Sequence, residues 1–172
     1  MMSASILRTV LRYALGVLLA LTAAHHTVSA GTSTGALTVT ASVTGVCSIG
    51  NATLSFGTYN PTSATALPAT TTVTLTCSLG TPYNIGMSAG SGTGATTSAR
   101  LMTAGASTLG YNLYRDSGYS LNWGNTVGTD TLSGTSSTST LANTIIIYGQ
   151  IPAGENAAVG SYSDTVTMTV TY

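Results

Sequence analysis

Apolar and polar side chains alternate along several short stretches of this chain, with turn-forming residues between them. In ALTVTASV (36–43), Leu37, Val39, Ala41 and Val43 share one parity and Thr38, Thr40 and Ser42 the other. TTVTLTC (71–77) repeats the pattern with Val73, Leu75 and Cys77. SYSDTVTMTVTY (161–172) sustains it longest, setting Tyr162, Asp164, Val166, Met168, Val170 and Tyr172 against a serine and a run of threonines. A period of two is that of a half-buried β-strand. Shorter strands are predicted at LSFGTY (54–59), YNIGMSA (83–89), ARLMTA (99–104) and TLGYNLYRD (108–116), punctuated by Gly, Pro and Asn. TIIIYGQI (144–151) is a continuous apolar run, which predicts a strand buried on both faces. TDTLSGTSSTSTLA (129–142) reads as a loop or short edge strands, and PAGENAAVG (152–160) as a connection. The sum is an all-β sandwich or barrel of about seven strands in a single domain.

The first 30 residues follow a different rule. Arg8 and Arg12 precede an apolar run from Tyr13 to Ala24, and Val28-Ser29-Ala30 sets small residues before a cleavage point. This is the pattern of a secretory signal peptide over residues 1–30. The run falls short of the roughly 20 residues that span a bilayer, so no stable membrane span is expected. Its removal takes away His25 and His26, both histidines of the chain. Arg100 and Arg115 then stand against Asp116, Asp130, Glu155 and Asp164, a net charge of −2 with no lysine anywhere. No basic patch remains to attract nucleic acid. Solubility must rest on Thr, Ser, Asn and Gly. The β-branched content argues against disorder.

This inventory excludes most catalytic chemistry. Nucleophilic triads need a histidine, and a Schiff base needs a lysine. No glycine-rich phosphate motif opens a helix. A carboxylate pair drawn from Asp116, Asp130, Glu155 and Asp164 is the remaining enzymatic idea, against the plainer reading that these acids sit in turns and on solvated faces. No cofactor is called for. Cys47 and Cys77 lack the spacing and the histidine partners of a metal site. In an exported chain they are expected to form one disulfide, which closes a loop of about 30 residues and contributes roughly 3–4 kcal/mol. Trp123, Tyr111, Tyr114 and Tyr119 form either core or a sugar-stacking platform. Arg115 and Asp116 are strand neighbours and point to opposite faces. Asn51-Ala52-Thr53 is a formal glycosylation sequon. Tyr162 opens the last strand as a half-buried ring or as a tyrosine corner, its hydroxyl bonded back to nearby backbone.

Taken in order, ALTVTASVTGVC (36–47), LSFGTY (54–59), VTLTC (73–77), YNLYRD (111–116), IYGQIPAG (147–154) and GSYSDTVTMTVTY (160–172) resemble the spore coat protein U domain, the fold of Csu-type pilins of archaic chaperone–usher pili. The resemblance covers residues 36–172. It implies an incomplete immunoglobulin-like β-sandwich of about six to seven antiparallel strands, the last strand being missing and supplied in trans. It implies a signal peptide over 1–30, a donor-strand segment over 31–46 and a pilin domain over 47–172. The implied partners are a periplasmic chaperone, an outer-membrane usher and neighbouring pilin subunits. Donor residues would be Leu37, Val39, Ala41 and Val43, and the acceptor edge Val166, Met168, Val170 and Tyr172. Cys47 and Cys77 match the family's disulfide. The function implied is a structural pilus subunit, polymerised by donor-strand complementation and serving adhesion or biofilm formation. A coat or matrix protein completed in cis and a carbohydrate-binding module are the alternatives.

Overall fold

The computed structural model describes residues 28–137 and 143–172. The expected leader therefore lies outside the described residues except for 28–30, as do residues 138–142 of the polar stretch. The chain divides into two units, residues 1–41 and 42–172. In the first, residues 28–41 carry no strand, and Leu37 and Val39 are 88% and 81% exposed. The strand expected at ALTVTASV is not formed. Alternation makes a segment suitable for a sheet, but a strand also needs a neighbour to take its amide hydrogen bonds.

The second unit is built from β1 (Cys47–Ile49), β2 (Leu67–Cys77), β3 (Pro82–Met87), β4 (Arg100–Ala104), β5 (Ser107–Tyr114), β6 (Leu132–Thr135), β7 (Asn143–Ile151) and β8 (Met168–Thr171). They form a five-stranded sheet, β1-β2-β7-β5-β4, and a three-stranded sheet, β6-β3-β8. All the pairings are antiparallel. The β2–β7 ladder runs from Leu67↔Ile151 to Leu75↔Asn143 and is the spine of the larger sheet. On β2, Val73, Leu75 and Cys77 are buried while Thr70, Thr72 and Thr74 are exposed, as the alternation demands. β7 departs from expectation. Ile147 and Ile151 are buried, but Ile146 is 45% exposed, so the apolar run is not covered on both faces. An antiparallel sheet of a sandwich packs one face on the core and leaves the other solvated.

Trp123, fully buried, ties the sheets together. Its Nε1 donates to the Ile85 carbonyl of β3 (2.8 Å), and its backbone N–H donates to the Leu113 carbonyl of β5 (2.9 Å). Beside it lies Arg100, also fully buried. Nε donates to Ser88 O (2.9 Å), Nη1 to Thr97 O (2.6 Å) and Nη2 to Trp123 O (2.7 Å) and Met87 O (3.2 Å). Burial pulls the guanidinium below its ordinary pKa, and Tyr111, Asp164 and Asp130 oppose that pull. β1, too short to be read from sequence, is fixed where Cys47 faces Cys77 across the β1–β2 register and bonds to it.

Candidate functional site: a groove between two unpaired rims

Two stretches predicted as strands, LSFGTY and the first half of SYSDTVTMTVTY, have no full ladder, and Gly57, at φ +70°, interrupts the first. Among the described residues, no backbone–backbone hydrogen bond involves residues 51–59. Even so, Leu54, Phe56 and Tyr59 are half-buried and pack against the core. Gly149 of β7 makes this possible: a Cβ there would collide with the side chains of Leu54 and Phe56. The segment is thus held to the sheet by side chains alone, and its amides and carbonyls are left over.

The last segment is the opposite rim. It bridges β4 at Thr103↔Ser163 and then crosses to the smaller sheet, where β8 pairs with β3 from Met87↔Met168 to Asn84↔Thr171. Ser163 N and O both bond to Thr103, and Thr167 O accepts from Ser88 N. Successive backbone groups in a strand point to opposite sides. The groups of Tyr162, Asp164 and Val166 therefore point away from β4, and none has a backbone partner among the described residues.

Between these rims lie two adjoining clefts, of about 410 Å³ and 600 Å³. Leu54, Phe56, Met102 and Tyr162 border both. Tyr111, Leu113 and Ile147 floor the first cleft, and Leu109 and Ile151 the second. Tyr59 closes one end. Its hydroxyl donates to Pro152 O (2.9 Å) and accepts from Glu155 N (2.8 Å), joining the first rim to the connection that leads into the second.

One carboxylate interrupts the apolar wall. Asp164 accepts from Ser91 N and Oγ (both 2.7 Å), from the Tyr111 hydroxyl (2.7 Å) and from Thr165 N (2.7 Å). Partial burial pushes its pKa up, but the hydrogen bonds outweigh this and hold it below the ordinary carboxylate range. Tyr111 is pushed well above its ordinary value, by burial first and then by Asp164. Gly90, at φ +90°, lets the chain pass so close that any Cβ would strike the Asp164 carboxylate.

The sequence-nominated residues divide as follows. Val166 and Met168 line the first cleft. Val170 packs on the core, and Tyr172 is 58% exposed; neither lines a cleft. Val43 is 93% exposed. The Tyr162 hydroxyl donates to Ala158 O (2.8 Å), back along its own segment. The 51–59 rim was not nominated as part of the site. Its signal was Leu54 and Phe56, two residues apart, followed by Tyr59, legible only once the strand proved to lack a neighbour. The suggested platform of Trp123, Tyr111, Tyr114 and Tyr119 is overturned in part, because Trp123 and Tyr111 are buried. The four acids serve separate local structures, Asp116 holding the 116–121 turn, Asp130 accepting from Thr126 N and Glu155 from Gly110 N. No group of three or more His, Cys, Asp or Glu that could hold a metal occurs among the described residues.

The family model of the spore coat protein U domain matches residues 33–169. The chain belongs to that family. Membership places this spore coat U domain in a structural, non-enzymatic group. A curated relative, "Protein U" of Myxococcus xanthus, is 36% identical over 163 residues, covering 83% of this chain and 87% of the relative. Among solved structures, the domain is similar to a chain in the CsuC–CsuE chaperone–tip adhesion subunit pre-assembly complex of archaic chaperone–usher Csu pili from Acinetobacter baumannii. The TM-score is 0.54 at 23% identity, over 76% of this chain and 40% of the matched one. The likeness is one of fold, and the domain spans less than half of the matched chain.

Proposed function

We propose that this spore coat U domain is a pilus subunit completed by a strand from a neighbouring copy. The observation that carries this reading is the groove: two rims, residues 51–59 and 158–166, border an apolar floor, and apart from Ser163 their backbone has no backbone partner among the described residues. An inserted strand would ladder onto Tyr162, Asp164 and Val166 and cover Met102, Leu109 and Ile147. The donor we propose is the alternating segment Leu37, Val39, Ala41 and Val43, whose large side chains are exposed. Burying a Leu or Val side chain contributes about 1.5–3 kcal/mol, so three or four of them plus a backbone ladder make a durable joint. Such a contact is heterologous and does not close on itself, so it propagates as a fibre. Strand addition of this kind is an established recognition mode. The same groove would first be covered by a periplasmic chaperone, then exchanged at an outer-membrane usher after export through the leader at 1–30, which places the fibre on the cell surface in adhesion or biofilm.

The test is assembly of the full chain. Val39→Asp and Val43→Asp should each abolish fibres seen by electron microscopy and leave a monomer in sedimentation. A synthetic 36–44 peptide should bind that monomer and raise its melting temperature. Normal fibres from both variants would sink the donor assignment.

A further inference from the structure

The outer face of the five-stranded sheet is solvated and unusually composed. The register sets Thr70 opposite Tyr148, and Tyr148 opposite Tyr114, in one row across β2, β7 and β5. Thr72 and Thr74 continue along β2, and all three threonines are exposed. Steps of two residues along a strand set their hydroxyls about 7 Å apart. Tyr119 reaches back over the row from the 116–121 turn. Its ring packs edge to face on Tyr114 (centroids 5.6 Å apart) and on Tyr148 (6.4 Å).

That turn is held in an unfavourable shape. Tyr119 has φ +55°, the one positive value on a non-glycine among the described residues. A bulky side chain enters this region only where its surroundings impose it. The Asp116 carboxylate does so, accepting from Leu121 N (2.7 Å), Ser120 N (3.1 Å) and Ser120 Oγ (2.8 Å). The result is three half-buried tyrosines beside a ladder of hydroxyls. No outward position on β2, β5 or β7 carries a charge.

We propose that this face binds a neutral polysaccharide. The tyrosine rings match the apolar faces of sugar rings, and the threonine hydroxyls match sugar hydroxyls. A protein partner would favour an apolar centre ringed by polar and charged groups; here Ile146, half exposed opposite Thr72, adds an apolar position, but the polar groups are uncharged and run in a line beside the aromatics. The site is independent of the groove, because Ile147 faces the groove while its neighbour Tyr148 faces outward.

Titration calorimetry on the purified full chain tests it, with cellohexaose and maltohexaose as neutral probes and hexagalacturonate as the charged one. A neutral hexasaccharide should bind, with affinity about tenfold weaker in Tyr148→Ala, within about twofold of wild type in Tyr148→Phe and about threefold weaker in Thr72→Val. Fibre assembly should be unchanged in all three. Binding of neither neutral probe, binding of the charged probe alone, or equal binding by wild type and Tyr148→Ala would overturn the proposal. So would equal weakening in Tyr148→Ala and Tyr148→Phe, since the ring would then not be the contact.

Discussion

Arg100 is a cation inside the sandwich that donates to four main-chain carbonyls. The planar guanidinium has enough donors in one plane to serve carbonyls from several segments at once. Those carbonyls belong to β3, the loops before β4 and the Trp123 loop, so the side chain organises three segments that have no common ladder. Arg100→Ala would leave the carbonyls of Met87, Ser88, Thr97 and Trp123 without it and open a cavity. We expect a loss of about 3–5 kcal/mol in urea unfolding. Asp164 shows a second single-residue role. Its pKa is depressed in the folded state, so it contributes stability at pH above its unfolded value of about 4, and that contribution is lost as pH falls through the lower folded value. Tyr111 is raised, so its contribution is present below about pH 10 and lost as pH rises further. Urea midpoints should therefore be flat near neutrality and fall at both extremes. Asp164→Asn should lower the plateau and make the acid fall shallower; an unchanged acid limb would show that the Ser91–Asp164–Tyr111 node does not couple to folding.

Among the elements, β1 matters beyond its three residues. It is the start of the path into the 51–59 rim, and the disulfide to β2 anchors that path. Without the bond, the path would be anchored only by the short β1–β2 ladder and the rim's own side chains. Closing a loop of about 30 residues constrains the unfolded chain by roughly 3–4 kcal/mol. The paired substitution Cys47→Ser and Cys77→Ser should therefore lower stability by about that amount and loosen donor-peptide binding, measured by calorimetry against wild type. The segment 161–172 makes the converse point. One alternating stretch serves as a bridge to β4, a groove rim and a strand of the other sheet, because its two halves meet different neighbours.

Within residues 42–172, no strand of the two sheets covers the groove. An uncovered edge with an apolar floor is prone to pair with any passing strand. That hazard is the physical case for the proposed chaperone and fibre growth. The Val39 and Val43 substitutions address this scale, since both side chains are exposed. The polysaccharide face belongs to it as well: repeated along a fibre, a weak site on each subunit becomes a multivalent one.

The residue pattern by itself determined the class and most of the strands. Val73, Leu75 and Cys77 face inward because alternating apolar residues have nowhere else to go. The same pattern settled the parity of the last twelve residues, where Tyr162 to Val170 are half-buried at every second position. It did not settle which alternating stretches would be strands. ALTVTASV and LSFGTY read as well as TTVTLTC, yet only the last has a ladder, because pairing is a property of two segments and periodicity a property of one. The core reading of Trp123 was borne out, but the pattern did not reveal that Ile146 would face solvent or that residues 51–59 would form a rim. Those outcomes depend on which segments lie side by side, and that was decided by the tertiary structure alone.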